Sequence, residues 1–247
     1  MPVNLNKQIK QLSGYINASK NIIFFGGAGV STESGIPDFR SENGLYSAKE
    51  FYGHSPEELL SYEYFTRYPD IFFRYYRENL VTLDAKPNLA HITLAKLEEL
   101  GKVKAVITQN VDGLHQQAGS KNVFELHGSN HRQYCMQCTQ KYTLEHVLSL
   151  DIIPKCECGG TIRPDIVMFG EQLDSSVMKA ATKAIYDANL LIIGGTSLSV
   201  YPAAGLLNYF HDGTLVLINK SETHLDESAD LVINAAIGEV LSKVDIE

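Results

Sequence analysis

The sequence predicts an α/β protein: a doubly wound parallel sheet with a smaller domain formed by insertions. Three observations predict it. Continuous apolar runs rich in Ile, Val and Leu recur along the 247 residues, as parallel strands buried on both faces require. Helix-compatible stretches with start and stop signals lie between those runs. Two stretches, 41–85 and 135–164, break the alternation.

Taken in order, residues 21–25 (Asn-Ile-Ile-Phe-Phe) read as the first strand, running into Gly26 and Gly27. Further strands are expected at 103–108, 190–194, 215–219 and 231–234. Asn88 is placed to cap a helix over 89–100, where Ile92, Ala95, Leu97 and Leu100 cover much of one face and Gly101 stops it. Asp174 is placed to cap a second helix reaching about residue 188, and Pro202 suits the first turn of a third that leads to Phe210. Residues 41–85 are aromatic and charged, with helix-like pieces and no clear strand; 135–164 holds every cysteine and few strand signals. Both read as insertions at strand ends. The main part is then 1–40, 86–130 and 165–247, and the small part 41–85 and 131–164.

Composition narrows the function classes. Hydrophobic residues make up 44% and charged residues 20%, which fits neither a disordered nor a fibrous chain. A chain this long closes a core without staples, and four cysteines are too few for a disulfide scaffold. With 29 acidic against 21 basic residues the net charge is -8, so direct nucleic-acid binding through phosphate neutralisation is not expected. The N-terminal residues are polar and mixed, without the pattern of a secretory leader. The longest apolar runs, 22–30 and 190–195, are too short to span a bilayer. A soluble, cytoplasmic protein with no membrane partner is expected.

Chemistry concentrates at strand ends. After the first strand comes G-G-A-G-V-S-T-E-S-G-I-P-D-F-R, residues 26–40. A glycine turn there lets backbone approach a pyrophosphate, and the following helix start offers free N–H groups; a plain strand-to-helix turn would look similar. The dehydrogenase fingerprint G-x-G-x-x-G fails, because Thr32 stands where its third glycine belongs and Ala28 interrupts the other register. Asp38, Phe39 and Arg40 lie just beyond, placed to fold over the reactive end of a nucleotide. The strand at 103–108 runs into T-Q-N-V-D-G-L-H, residues 108–115, where Asn110 and Asp112 can hydrogen-bond a carboxamide; Asp112 before Gly113 also reads as a turn residue. His127, beside Gly128 after a short apolar stretch, is a candidate general base, with His115 second. Cys135, Cys138, Cys156 and Cys158 give C-x2-C-x17-C-x-C, the framework of a structural tetrahedral zinc site. Two disulfides or a redox pair are the alternatives; a C-x-C disulfide is strained, and Gly159 and Gly160 give the tight second knuckle latitude.

Together these motifs resemble the sirtuins, NAD-dependent protein-lysine deacylases, in their compact bacterial form. The matching stretches are GAGVS (27–31), GIPDFR (35–40), KPNLAH (86–91), TQNVDGLH (108–115), ELHGS (125–129), the cysteine pairs, IRPDIVMFGE (162–171), GTSLSVYPAA (195–204) and LINK (217–220). They occur in the family's order over nearly the whole chain. One departure is Gly26, where the family usually has threonine.

The resemblance implies a Rossmann-like NAD-binding domain over 1–247 with an inserted zinc-binding part. It implies that Ala28, Thr32, Phe39 and Arg40 cover NAD, and that Gln109, Val111 and Asp112 form the ribose and nicotinamide pocket with Asn110 beside them. It further implies that His127 is the base, that Thr196 and Ser197 bind phosphate, and that Asn219, Lys220 and Ile237 lie about the adenosine. Val167, Met168 and Phe169 would pair with the substrate backbone by strand addition. The implied reaction transfers the acetyl group of acetyl-lysine in a protein to ADP-ribose, releasing nicotinamide, O-acetyl-ADP-ribose and free lysine, with one structural Zn2+. Protein mono-ADP-ribosyl transfer, removal of other acyl groups and a non-catalytic NAD-sensing role are the alternatives. Sirtuins that prefer succinyl-lysine resemble one another in a Tyr-x-x-Arg pair before the KPN motif. Here that stretch reads Tyr76-Arg-Glu-Asn79, so Asn79 takes the arginine's place, and an uncharged acetyl group in a pocket walled by Phe72, Phe73 and Tyr76 is expected.

Overall fold

The computed structural model describes residues 5–38 and 52–246. In chain order its strands are β1 (Ile22–Gly26), β2 (Val103–Thr108), β3 (Val123–Glu125), β4 (Gly128–Cys135), β5 (Lys141–Thr143), β6 (Ile162–Ile166), β7 (Leu190–Gly194), β8 (Thr214–Ile218) and β9 (Leu231–Ile233). The helices are α1 (Leu5–Ala18), α2 (Pro56–Leu59), α3 (Tyr62–Arg67), α4 (Pro69–Asn79), α5 (Leu89–Glu99), α6 (Leu114–Gln117), α7 (Leu144–Leu148), α8 (Ser175–Tyr186) and α9 (Ile237–Leu241). No helix among the described residues is long and apolar enough to cross a membrane.

Six strands form one parallel sheet in the order β3-β2-β1-β7-β8-β9. Every residue of β1 and β7 is buried, as their unbroken apolar runs require. One core packs on each face of this sheet, one around Phe24, Leu94 and Ile192, the other around Phe25, Ile185 and Ile193. The chain order reverses at β1, which has β2 on one side and β7 on the other. Such a switch point opens a crevice at the strands' carboxyl ends.

The second sheet is antiparallel, β5-β4-β6. Residues 128–166 therefore carry strands that the sequence reading did not assign. The β4 sequence, Gly-Ser-Asn-His-Arg-Gln-Tyr-Cys, is too polar to announce itself. The β6 sequence contains Pro164, which sits beside an irregularity in the β4 ladder where a missing N–H is tolerated. Residues 5–18, where the sequence predicts no element, form α1; its buried Ile9, Leu12, Ser13 and Ile16 follow a helical stripe with serine as one member.

The expected caps form: the Asn88 side chain accepts from Ala90 N, and Asp174 accepts from Ser176 N and Val177 N. The face of α5 differs from the expected one. Ala90, His91, Leu94 and Leu97 are buried, while Ile92 and Leu100 are exposed, because a buried histidine shifts the stripe. After Pro202 the chain forms a 3-10 helix, Ala203–Tyr209, in place of an α-helix.

Candidate active site

The register of the main sheet sets the site. Gly26 pairs with Thr108 on one side and with Gly194 on the other, so β1, β2 and β7 end in one row. Three loops leave that row side by side: 27–35, 109–113 and 195–202. The first is two 3-10 turns, Ala28–Val30 and Thr32–Ser34. Its backbone touches the third loop, with Gly29 N donating to Gly195 O at 2.8 Å. A Cβ at Gly29 would lie 2.8 Å from Gly195 Cα, and one at Gly195 would lie 2.4 Å from Val30 N. These two glycines thus answer to loop-on-loop contact. Gly26 answers to Phe24, whose ring would be 2.6 Å from a Cβ there, which accounts for the absence of threonine.

Side chains knit the loops together. Ser31 Oγ donates to Asp112 Oδ2 at 2.6 Å and accepts from Asn110 Nδ2 at 3.0 Å. Asp112 Oδ1 also accepts from Leu114 N at 2.9 Å, so the turn role and the site role coexist. Gln109 Nε2 donates to Thr196 Oγ1 at 3.1 Å, and Thr196 N donates to Asn219 Oδ1 at 3.0 Å. Asn219 is buried at the end of β8, and its Nδ2 has no hydrogen-bond partner among the described residues. Thr32 Oγ1 donates back to Gly29 O, and Ser197 Oγ pairs with Ser199 Oγ.

These loops and the stretch after β6 enclose a cavity of about 560 Å³. Ala28, Gln109, Asn110, Val111, Asp112 and His127 line one part, and Thr196 and Ser197 another. Val167, Met168 and Phe169 form a further wall. Thr32, Asn219, Lys220 and Ile237 are not in that wall; Asn219 reaches it through Thr196, and Ile237 is buried behind Gly194. Phe39 and Arg40 lie outside the described residues. Ser31 lines the cavity and was not singled out by sequence; its signal was the fifth position of GAGVS.

His127 follows β3, and its Nδ1 lies 2.9 Å from Gln109 O. A carbonyl only accepts, so Nδ1 carries the hydrogen and the neutral ring keeps its lone pair on Nε2. Burial lowers the pKa of His127 and outweighs the bond to Gln109, which raises it. His115, the second candidate, is 1% exposed and packs between Phe24 and His91, away from the cavity.

The 167–171 stretch is held from several sides. Val167 N donates to His127 O, Phe169 N to Leu60 O, and Tyr62 N to Phe169 O. Arg163, 3% exposed, makes a two-pronged pair with Glu171 at 2.7 and 2.8 Å, and Glu171 accepts from Met168 N. Where α4 ends, the cavity meets Asn79, Leu80 and Thr82. Phe72, Phe73 and Tyr76, the expected aromatic walls, are instead buried in the core beneath. Arg77 is turned away, with its guanidinium donating to the carbonyls of Val147, Leu150 and Asp151. No Lys or Arg stands among the described lining residues, whereas Asp38, Glu57, Asp112 and Glu171 do.

The four cysteines are free thiols whose sulfurs all lie within 4.8 Å of one another. Cys135–Cys158 and Cys138–Cys156 are each 3.5 Å apart, near the ~3.8 Å edge of a tetrahedron with ~2.3 Å zinc–sulfur bonds. A Cβ at Gly160 would lie 2.6 Å from Cys135 Sγ, so glycine there leaves room for the cluster to close. The donor set fits one zinc ion with no open position.

Residues 27–202 match the Sir2 family. An NAD-dependent protein deacetylase of Clostridium acetobutylicum is 56% identical over 239 residues, 96% of this chain and 98% of that one. One from Clostridium perfringens is 57% identical over 242 residues, 97% and 99% of the two chains. Among solved structures, Sir2 with a p53 peptide and NAD+ superposes with a TM-score of 0.85 at 41% identity, covering 96% of each chain. Sir2 with a deacetylated p53 peptide and an O-acetyl ADP-ribose gives 0.87 at 42% identity, covering 94% of each.

Proposed function

The chain belongs to the Sir2 family, and from that premise we infer how its own residues carry out NAD-dependent protein deacetylation. NAD is a substrate here: it supplies an electrophilic ribose carbon, loses nicotinamide and leaves as the acetyl carrier. The orphaned Nδ2 of Asn219 and the Thr196–Ser197 turn suit its polar far end. The Ser31–Asn110–Asp112 group suits the carboxamide, since it offers a carboxylate and an amide already fixed in place.

The observation that carries the assignment of chemistry is the 2.9 Å contact between His127 Nδ1 and Gln109 O, which sets the ring's tautomer. Its Nδ1–H is engaged by Gln109 O, and the ring lines the cavity with Nε2 unprotonated. A lowered pKa keeps that nitrogen a base at neutral pH. The acetyl-lysine oxygen attacks the ribose carbon as nicotinamide leaves. His127 then takes a proton from the ribose hydroxyls, so that a hydroxyl attacks the former amide carbon. Water completes the reaction, giving free lysine and O-acetyl-ADP-ribose. The substrate backbone would run along Val167 to Phe169, which line the cavity.

We assign 41–85 and 131–164 to a small part and 1–40, 86–130 and 165–247 to the nucleotide-binding part; of the small part's described residues, Glu57, Leu60, Asn79, Leu80 and Thr82 line the cavity. Acids and no cations among the described lining residues favour an uncharged acetyl group over a carboxylated one. We further read the chain as a cytoplasmic enzyme acting on acetylated lysines of proteins, without direct nucleic-acid contact.

The order of steps gives the test. His127→Ala should lower deacetylation by about a hundredfold or more, the loss typical of a positioned base. Exchange of labelled nicotinamide into NAD, which needs only the earlier step, should persist. Equal loss of both, or deacetylation within a few fold of the parent, would remove His127 from this role.

A further inference from the structure

The part of the cavity where α4 ends, the side on which the deacylase reading puts the acyl group, contains a polar group that acetyl chemistry does not use. Asn130, on β4, is 3% exposed and lines the cavity near Asn79, Thr82 and Val111. Its backbone N donates to Val111 O at 2.9 Å, and its Nδ2 donates to Leu80 O at 2.6 Å. Because a carbonyl accepts only, the amide cannot be flipped, and Oδ1 is fixed as the other atom of the group. That Oδ1 is buried and has no hydrogen-bond partner among the described residues. A buried acceptor left unmet is costly, and a donor brought by a ligand would recover that cost.

We propose that Asn130 reads the distal part of the acyl group, so that the enzyme removes short hydroxyacyl groups from lysine in preference to apolar acyl groups of the same length. The proposal rests on the deacylase reading above and extends its substrate class. An acyl hydroxyl donates to Oδ1, or takes the place of a water that did. An apolar chain of equal length leaves Oδ1 unmet. A carboxylated chain brings only acceptors to an acceptor, and no Lys or Arg stands among the described lining residues to neutralise it. The transfer is otherwise unchanged: the amide C–N bond breaks, the acyl carbon becomes esterified to ribose, nicotinamide leaves and the hydroxyl is carried through intact.

The test uses the full chain and one peptide bearing acetyl-, butyryl- or 3-hydroxybutyryl-lysine. Acetyl turnover checks the deacylase reading itself; if no peptide is turned over, that reading and this proposal both fall. The proposal predicts kcat/KM for 3-hydroxybutyryl above that for butyryl by about three- to tenfold, the value of one neutral hydrogen bond. In Asn130→Val and Asn130→Ala the ratio should fall to one or below, whatever happens to acetyl turnover. Acetyl turnover with butyryl equal to or better than 3-hydroxybutyryl in the parent protein would overturn the proposal alone, and needs no folded variant. A ratio above one that survives both substitutions would overturn the role of Asn130.

Discussion

At the scale of single residues, the hydroxyl of Ser31 ties the glycine loop to the 109–113 loop, because it is donor to Asp112 and acceptor from Asn110 at once. Ser31→Ala removes both bonds and should raise KM for NAD, lowering kcat/KM by about ten- to a hundredfold, the range for a hydrogen bond to a charged group. Steady-state titration of NAD measures this, and an unchanged KM would sever Ser31 from the pocket. His115 gives a different prediction. Burial, then the neighbouring His91, holds its pKa down to about 3, and burial likewise lowers that of His91. Both rings are neutral in the fold, whereas in the unfolded chain they take up protons below about 6.5. The unfolded state then binds more protons, so stability should fall as pH drops from about 6.5 towards the folded values, with no such cost above that window. Melting curves across this range should show the fall in the parent and a shallower one in His115→Leu; parallel curves would contradict it.

At the scale of elements, two local devices hold β6 and the cavity wall that follows it. The first is the turn after β6, where Arg163 grips Glu171 and the carbonyls of Pro164 and Ile166. Burial alone would raise the pKa of Glu171, but the Arg163 pair and Met168 N bring it below the ordinary carboxyl value. Removing the Glu171 carboxylate strands the buried Arg163 guanidinium, but Glu171 itself is partly exposed, so Glu171→Ala should cost about 1–3 kcal/mol and misplace Val167 to Phe169. Denaturant unfolding gives the stability, and KM for peptide gives the misplacement; a loss below 1 kcal/mol would show the pair to be ornamental. The second is the cysteine cluster, which lies at one end of β4 while Gly128, beside His127, lies at the other. Purified protein should hold about one zinc per chain. Cys158→Ser should lose the metal and destabilise the small sheet. Full thermal stability in a metal-free preparation would show that zinc does not staple it.

At the scale of the whole molecule, what could be read from sequence follows from where the physics is local. The buried parallel strands were legible because both faces must be apolar, and the caps at Asn88 and Asp174 because a cap is a contact over two or three residues. The antiparallel sheet was not legible, since β4 earns its place largely through β6, whose paired residues lie more than twenty positions away, and through the cysteine cluster at its end. The site residues stood out as motif letters, yet their partnerships did not. The sequence cannot show that Gly29 and Gly195 touch, that Arg77 is spent on the carbonyls beyond α7, or that Asn130 keeps an unmet acceptor. His115 illustrates the converse: a histidine in a nucleotide motif looks chemical until its burial is known. All of these features converge on one claim, that the cleft moves an acetyl group from lysine to ADP-ribose. The most direct test is mass analysis after incubation with NAD and an acetyl-lysine peptide. The account predicts nicotinamide, O-acetyl-ADP-ribose and free lysine in equal amounts; ADP-ribose left covalently on the peptide or protein, with the acetyl group still in place, would contradict it.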